Sequence, residues 1–253
     1  MARGLLVAIV AAALAATPAH AARLEVVVGY GSVADGSAQE VTDPGARAAA
    51  TDDSCRNREW HPTAFADGPA WAARRYTYRA NLSRMPHGDR DRRQITKGKH
   101  TWDNTRNGCG YKDITNFRTV YGGRTKATVH SRRDGLNVVD FGSLARFTRD
   151  RFAIAITFSW WENGHLVETD TRFEQPPSTP AGTLSWSVSG KREVNRWDLW
   201  SMAAHESGHA LGLGHATTST DNWLTMSPLL YTNSTRWQTL GRGDVVGLRA
   251  LFP

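Results

Sequence analysis

Residues 205–215 read His-Glu-Ser-Gly-His-Ala-Leu-Gly-Leu-Gly-His, and no other stretch constrains the chain as much. His205 and His209 stand four apart, so on a helix their imidazoles stack on one face about one turn apart. At that separation both nitrogens reach one zinc ion at roughly 2.0–2.1 Å. Glu206 is turned about 100° from that face, an awkward angle for ligation but a good one for holding water beside the metal. A continuing helix would carry His215 out of range, whereas a break at Gly212 lets the chain turn and bring His215 up as a third ligand. Three imidazoles with no cysteine leave a fourth position open, as catalytic rather than structural zinc sites do. Ser207 lies mid-helix, outside a Gly-x-Ser-x-Gly elbow, and is not read as a nucleophile.

The rest of the helix follows from the same periodicity. Asp198 is a suitable N-cap, and its carboxylate suits the positive helix end. Trp200, Ala203, Ala204 and Leu211 recur at helical spacing and form an apolar face. Upstream, Arg74 to Leu82, Leu136 to Phe141, Phe152 to Trp161 and His165 to Phe173 read as strands, with Glu162-Asn163-Gly164 as a hairpin turn. Asp89 to Trp102 reads as a helix that Gly98 weakens, and Leu240 to Phe252 as a short final helix. The expected class is α+β: a mixed sheet in the N-terminal half, two or three helices and an irregular C-terminal part.

The N-terminus reads as an export label. Arg3 supplies the positive end, Leu5 to Ala16 the apolar run and Ala19-His20-Ala21 a cleavage site, so residues 1–21 are a signal peptide and the protein is secreted. Residues 22–70 read as an N-terminal extension or propeptide, with little periodicity beyond Leu24 to Val28; the folded domain is expected over 71–253. Gly29-Tyr30-Gly31 lacks the frame of a phosphate loop. Outside the cytosol, Cys55 and Cys109 are expected to pair, the rival being a thiolate that caps a metal site. A bridge would confine any removable segment to the part upstream of Cys55. The 31 Lys and Arg against 24 Asp and Glu give +7, carried by scattered arginines on a solvated surface without a nucleic-acid module. No window reaches the roughly 20 apolar residues of a membrane span.

With these residues in view, the chain resembles the metzincin zinc peptidases, and among them the matrixin-like branch with its bacterial secreted members. His205, Glu206, His209, Gly212 and His215 match the zinc motif position by position. Leu224-Thr225-Met226-Ser227-Pro228 resembles the Met-turn, in which Met226 would floor the metal site, and Leu240, Asp244, Gly247 and Leu248 fit the last helix. The resemblance implies a metzincin-like catalytic domain with a twisted mixed sheet, one catalytic zinc ion, and hydrolysis of protein or peptide substrates with Glu206 as general base. It also implies an extended substrate paired along an edge strand, for which His165 to Phe173 is the candidate. Pro228 stands where astacin-like relatives carry a tyrosine, and His215 where snapalysin-like ones carry aspartate. The Pro-Arg-Cys-Gly switch of animal matrixin propeptides is not found.

No calcium or second metal is assigned; His130 with Asp134 and Glu168 with Asp170 are read as surface or strand polar residues. A monomer is expected. Two other functions remain open from the sequence. One is a non-catalytic extracellular module whose tryptophans, Trp160-Trp161 among them, form a binding platform above a structural metal. The other is a zinc amidase acting on cell-wall peptides.

Overall fold

In the computed structural model, residues 22–32, 53–63, 70–112, 114–115, 117–179, 182–216 and 223–253 are described. Residues 1–21, read above as a signal peptide, and most of 33–69 lie outside them. In chain order the elements are β1 (Arg23–Ser32), β2 (Arg75–Ala80), α1 (Asp89–Asp103), β3 (Arg118–Arg124), β4 (Val138–Phe141), β5 (Ala153–Glu162) and β6 (His165–Phe173). Then come the short strands β7 (Ser178–Thr179), β8 (Gly182–Thr183), β9 (Ser185–Ser187) and β10 (Arg196–Asp198), followed by α2 (Leu199–Ala210), β11 (Leu229–Tyr231) and α3 (Arg242–Leu251).

Seven strands form one mixed sheet in the order β11-β1-β5-β6-β4-β2-β3. β2, β3, β4 and β6 run parallel to one another, while β5 returns antiparallel to β6 through the Asn163-Gly164 hairpin. Asn163 and Gly164 both have positive φ, 51° and 78°, which a tight two-residue turn between twisted strands requires. The architecture is the α+β arrangement expected, with two corrections. The segment Leu24 to Val28 is a full strand of the sheet. His165–Phe173 is interior, between β5 and β4, so β6 is not an edge strand along which a substrate could pair; the outer strands of the sheet are β11 and β3.

The sheet separates two apolar layers. On one side Ile95 and Trp102 of α1, Leu199, Met202 and Ala203 of α2 and Val245, Leu248 and Leu251 of α3 share a core with Tyr76, Val139, Ile154 and Phe173. On the other, Val138, Leu144, Ile156, Phe158 and Trp160 form a smaller cluster, against which Leu24, Val26 and Val28 of β1 pack. Gly98 interrupts the α1 pattern for a packing reason: a Cβ there would lie 2.6 Å from the Ala203–Ala204 backbone, so only glycine lets α1 and α2 approach this closely. Trp160 and Trp161 are buried at 4% and 1% exposure, and so offer no aromatic platform.

Cys55 and Cys109 are bonded to each other with Cα atoms 5.4 Å apart, so neither presents a thiolate to a metal. On the chain-entropy view, closing a loop of this span stabilises the fold by about 4 kcal/mol. The bridge also anchors the stretch beside it: Ser54 and Glu59 carbonyls meet Gly241 and Gly243, at the start of α3. Among the described residues, no helix is long and apolar enough to cross a membrane. That fact and the disulfide are compatible with an exported protein.

Candidate active site

α2 begins where the sequence predicts. Asp198 accepts from the Ser201 backbone N–H at 2.9 Å and from its hydroxyl at 2.7 Å, satisfying donors that the first turn leaves open. The helix stops after Ala210, and Gly212 takes φ +95°, a left-handed conformation that a side chain would oppose. The exit strand is then held on both sides. Thr63 N–H donates to the Gly212 carbonyl and Gly214 N–H to the His61 carbonyl, while Ala216 N–H donates to the Met226 carbonyl. These bonds bring His215 back over the helix.

The three histidines meet. Their Nε2 atoms lie 3.1 Å apart for His205–His209 and His209–His215, and 3.2 Å for His205–His215. The outer nitrogens fix the tautomers. His205 Nδ1 faces the Thr225 carbonyl and His209 Nδ1 the Leu213 carbonyl, each at 2.8 Å. A carbonyl only accepts, so both Nδ1 atoms carry the proton and both Nε2 atoms present lone pairs to the cluster. Burial holds His205 down to about 4, and burial with the His205 field holds His215 down to about 3. His209, buried between the two, lies well below the usual imidazole range. Neutral rings with converging lone pairs repel one another, and a cation between them removes that conflict. The donor set, nitrogen only and close to tetrahedral spacing, suits zinc. Among the described residues, these three are the one group of histidine, cysteine and carboxylate side chains with ligand atoms close enough to share an ion.

Glu206 is 1% exposed. Its Oε2 accepts from the Thr157 hydroxyl at 2.6 Å, and Thr157 is 3.1 Å from the Thr171 hydroxyl. Its Oε1 is buried without a hydrogen-bond partner among the described residues. Burial pushes the carboxyl up to about 8, against the opposing Thr157 bond and the field of Lys99. Lys99 is itself buried, its ammonium 4.9 Å from the Tyr76 ring centre and 4.7 Å from that of Tyr78. Ser207 donates to the Ala203 carbonyl at 2.5 Å, a bond within the helix.

Met226 is 3% exposed and lies under α2, where a Cβ on Gly208 would overlap its sulfur. The turn that carries it is fastened by Asp244 of α3, whose carboxylate accepts from the backbone N–H of Thr225, Met226 and Gly241. A line of bonds thus runs from Asp244 through Thr225 to the His205 ring. Sequence reasoning missed this line and the Thr157 contact, since both join residues far apart in the chain. The one available signal for Thr157 is a hydroxyl within the apolar run Ala-Ile-Ala-Ile-Thr-Phe.

The other polar residues singled out in the sequence hold backbone. Glu168 accepts from Asp134 and Gly135 N–H, Asp170 from Val138 N–H at 2.7 Å, and His130 stands 3.5 Å from the Asp134 carboxylate.

A helix bearing two of three imidazoles, broken by glycine to deliver the third above a methionine turn, defines the metzincin class of metallopeptidases. Residues 138–253 match the family model for peptidase M10, matrixin. That stretch of the chain is accordingly a matrixin-like metzincin domain, and its class is that of zinc-dependent endopeptidases.

Proposed function

We propose that the protein is a secreted zinc endopeptidase in which His205, His209 and His215 hold one zinc ion and Glu206 is the general base. The observation that carries the reading is the convergence of buried Nε2 lone pairs whose partner nitrogens are committed to carbonyls. Zinc in that position supplies Lewis acidity, lowering the pKa of water toward 7 and polarising a peptide carbonyl. Glu206 takes the proton that the attacking water gives up and returns it to the leaving nitrogen. The Thr157 bond orients the carboxylate for that exchange. Met226 floors the site, and Asp244 keeps that floor and the His205 ring in register. The export label at residues 1–21 and the Cys55–Cys109 bridge support release to the outside.

Casein or gelatin digestion tests the activity. We expect hydrolysis that a chelator abolishes and added zinc restores. Digestion that survives chelation would defeat the reading, and hydrolysis confined to cell-wall peptides would favour the amidase.

A further inference from the structure

Residues 53–63 lie far from the zinc motif in sequence, yet they are fastened to it in space. Asp53–Cys55 forms a single 3-10 turn, closed onto Cys109 by the disulfide. Asn57 Oδ1 then accepts from the Glu59 N–H at 2.9 Å and turns the chain. From Glu59 the segment lies against a glycine face of α3. A Cβ on Gly243 would overlap the Glu59 carbonyl, and one on Gly247 would stand 3.1 Å from the Trp60 ring. Trp60 itself is partly buried against the main core.

Beyond Trp60 the segment pairs with the strand that leaves α2. Pro62 stands opposite Leu213 in an antiparallel bridge. On either side of that pair, Thr63 N–H donates to the Gly212 carbonyl at 2.9 Å and Gly214 N–H to the His61 carbonyl at 2.8 Å. A Cβ on Gly214 would lie 2.9 Å from the Pro62 carbonyl oxygen, so a glycine there lets the two strands close. Leu213 serves the metal site directly. Its carbonyl, 2.8 Å from His209 Nδ1, keeps the Nε2 lone pair of that ring turned to the cluster. His215 follows two residues later. Residues 61–63 therefore hold the outer partner of one histidine and the backbone that delivers another.

We propose that residues 59–63 are a positioning strap for the zinc site, seated on α3 by Trp60 and fastened by the Cys55–Cys109 bridge, and that zinc retention depends on it. The proposal rests on the zinc-peptidase reading for the identity of the ion; the strap itself is set by the strand pairing and the glycine approaches. Outer partners of ligating histidines fix ring orientation, and their loss typically costs about 10–100-fold in metal affinity. Two backbone hydrogen bonds alone would open readily, so the anchors ahead of them carry the strap. The sequence assigns these residues to an N-terminal extension. On this account the part from Cys55 onward works as a piece of the metal centre.

The test compares the zinc-loaded full chain with Trp60→Ala, Trp60→Phe and the double variant Cys55→Ser, Cys109→Ser. The rate at which zinc passes to an excess of chromogenic chelator is read in each. We expect release to quicken by about 10–100-fold in Trp60→Ala and in the double variant. Trp60→Phe should stay near wild type, because a ring still fills the seat on α3. Exchange of the Gly214 amide, which donates to the strap, should rise at least about tenfold in the same two variants while α1 amides keep their protection. Leu144→Ala, a cavity in the outer apolar cluster, controls for general stability: its melting temperature should fall and its zinc release should not change. Should Trp60→Ala fail to fold, the double variant carries the comparison. A loosened Gly214 amide with zinc released at the wild-type rate would overturn the proposal. So would a Gly214 amide that stays protected, or release from Leu144→Ala as fast as from Trp60→Ala. If the wild-type chain binds no zinc, the peptidase reading fails, and Gly214 exchange alone decides whether the strap holds the exit strand.

Discussion

Glu206→Gln is expected to keep zinc at one ion per chain and to lower peptide hydrolysis by on the order of 10²–10⁴, the usual worth of a positioned general base. The substitution is nearly isosteric, and the amide still accepts from Thr157 through its carbonyl, so the Glu206–Thr157 contact survives. What it removes is the oxygen that the proposed mechanism uses as a base. Binding should suffer little, so the loss falls on kcat rather than KM. Zinc content by elemental analysis and steady-state rates on one peptide measure the two halves separately. Wild-type turnover with zinc bound would mean that another group takes the proton.

His209→Ala is expected to cost metal rather than chemistry. His209 is fully buried and central, 3.1 Å from both other rings, and its Nδ1 serves the Leu213 carbonyl. Without it, two imidazoles remain and a buried carbonyl loses its donor, a penalty of about 1–3 kcal/mol before any metal is considered. Dialysed variant should retain little zinc, and its melting temperature should no longer rise when zinc is added, because ligand linkage needs the site. Zinc retained at the wild-type level, with the same thermal response, would show that the ion sits elsewhere. The two variants divide the site: one should lose turnover with metal in place, the other metal itself.

The parts of this protein legible in its sequence are those whose physics is local. Asp198, the apolar spacing of α2, Gly212 and the three histidines all act within one helix and its exit, and each is where the spacing predicts. The β5–β6 hairpin was legible for the same reason. What stayed hidden depends on which strand lies beside which. Nothing in the β6 string shows that it lies between β5 and β4 rather than at an edge; only the sheet order does. β3, Arg-Thr-Val-Tyr-Gly-Gly-Arg, is broken by two glycines and carries no alternation to read. Leu24 to Val28 was visible as an apolar run, but its partners in β5 begin more than a hundred residues later. Thr157 against Glu206 and Asp244 beneath the methionine turn are likewise contacts between distant segments.

The metal centre itself can be settled by diffraction at the zinc absorption edge, from crystals grown with zinc and without chelator. One anomalous peak about 2.0–2.1 Å from each of the three Nε2 atoms is the expected result. Rings held at their present spacing with no anomalous scatterer among them would contradict the assignment of this chain as a zinc enzyme.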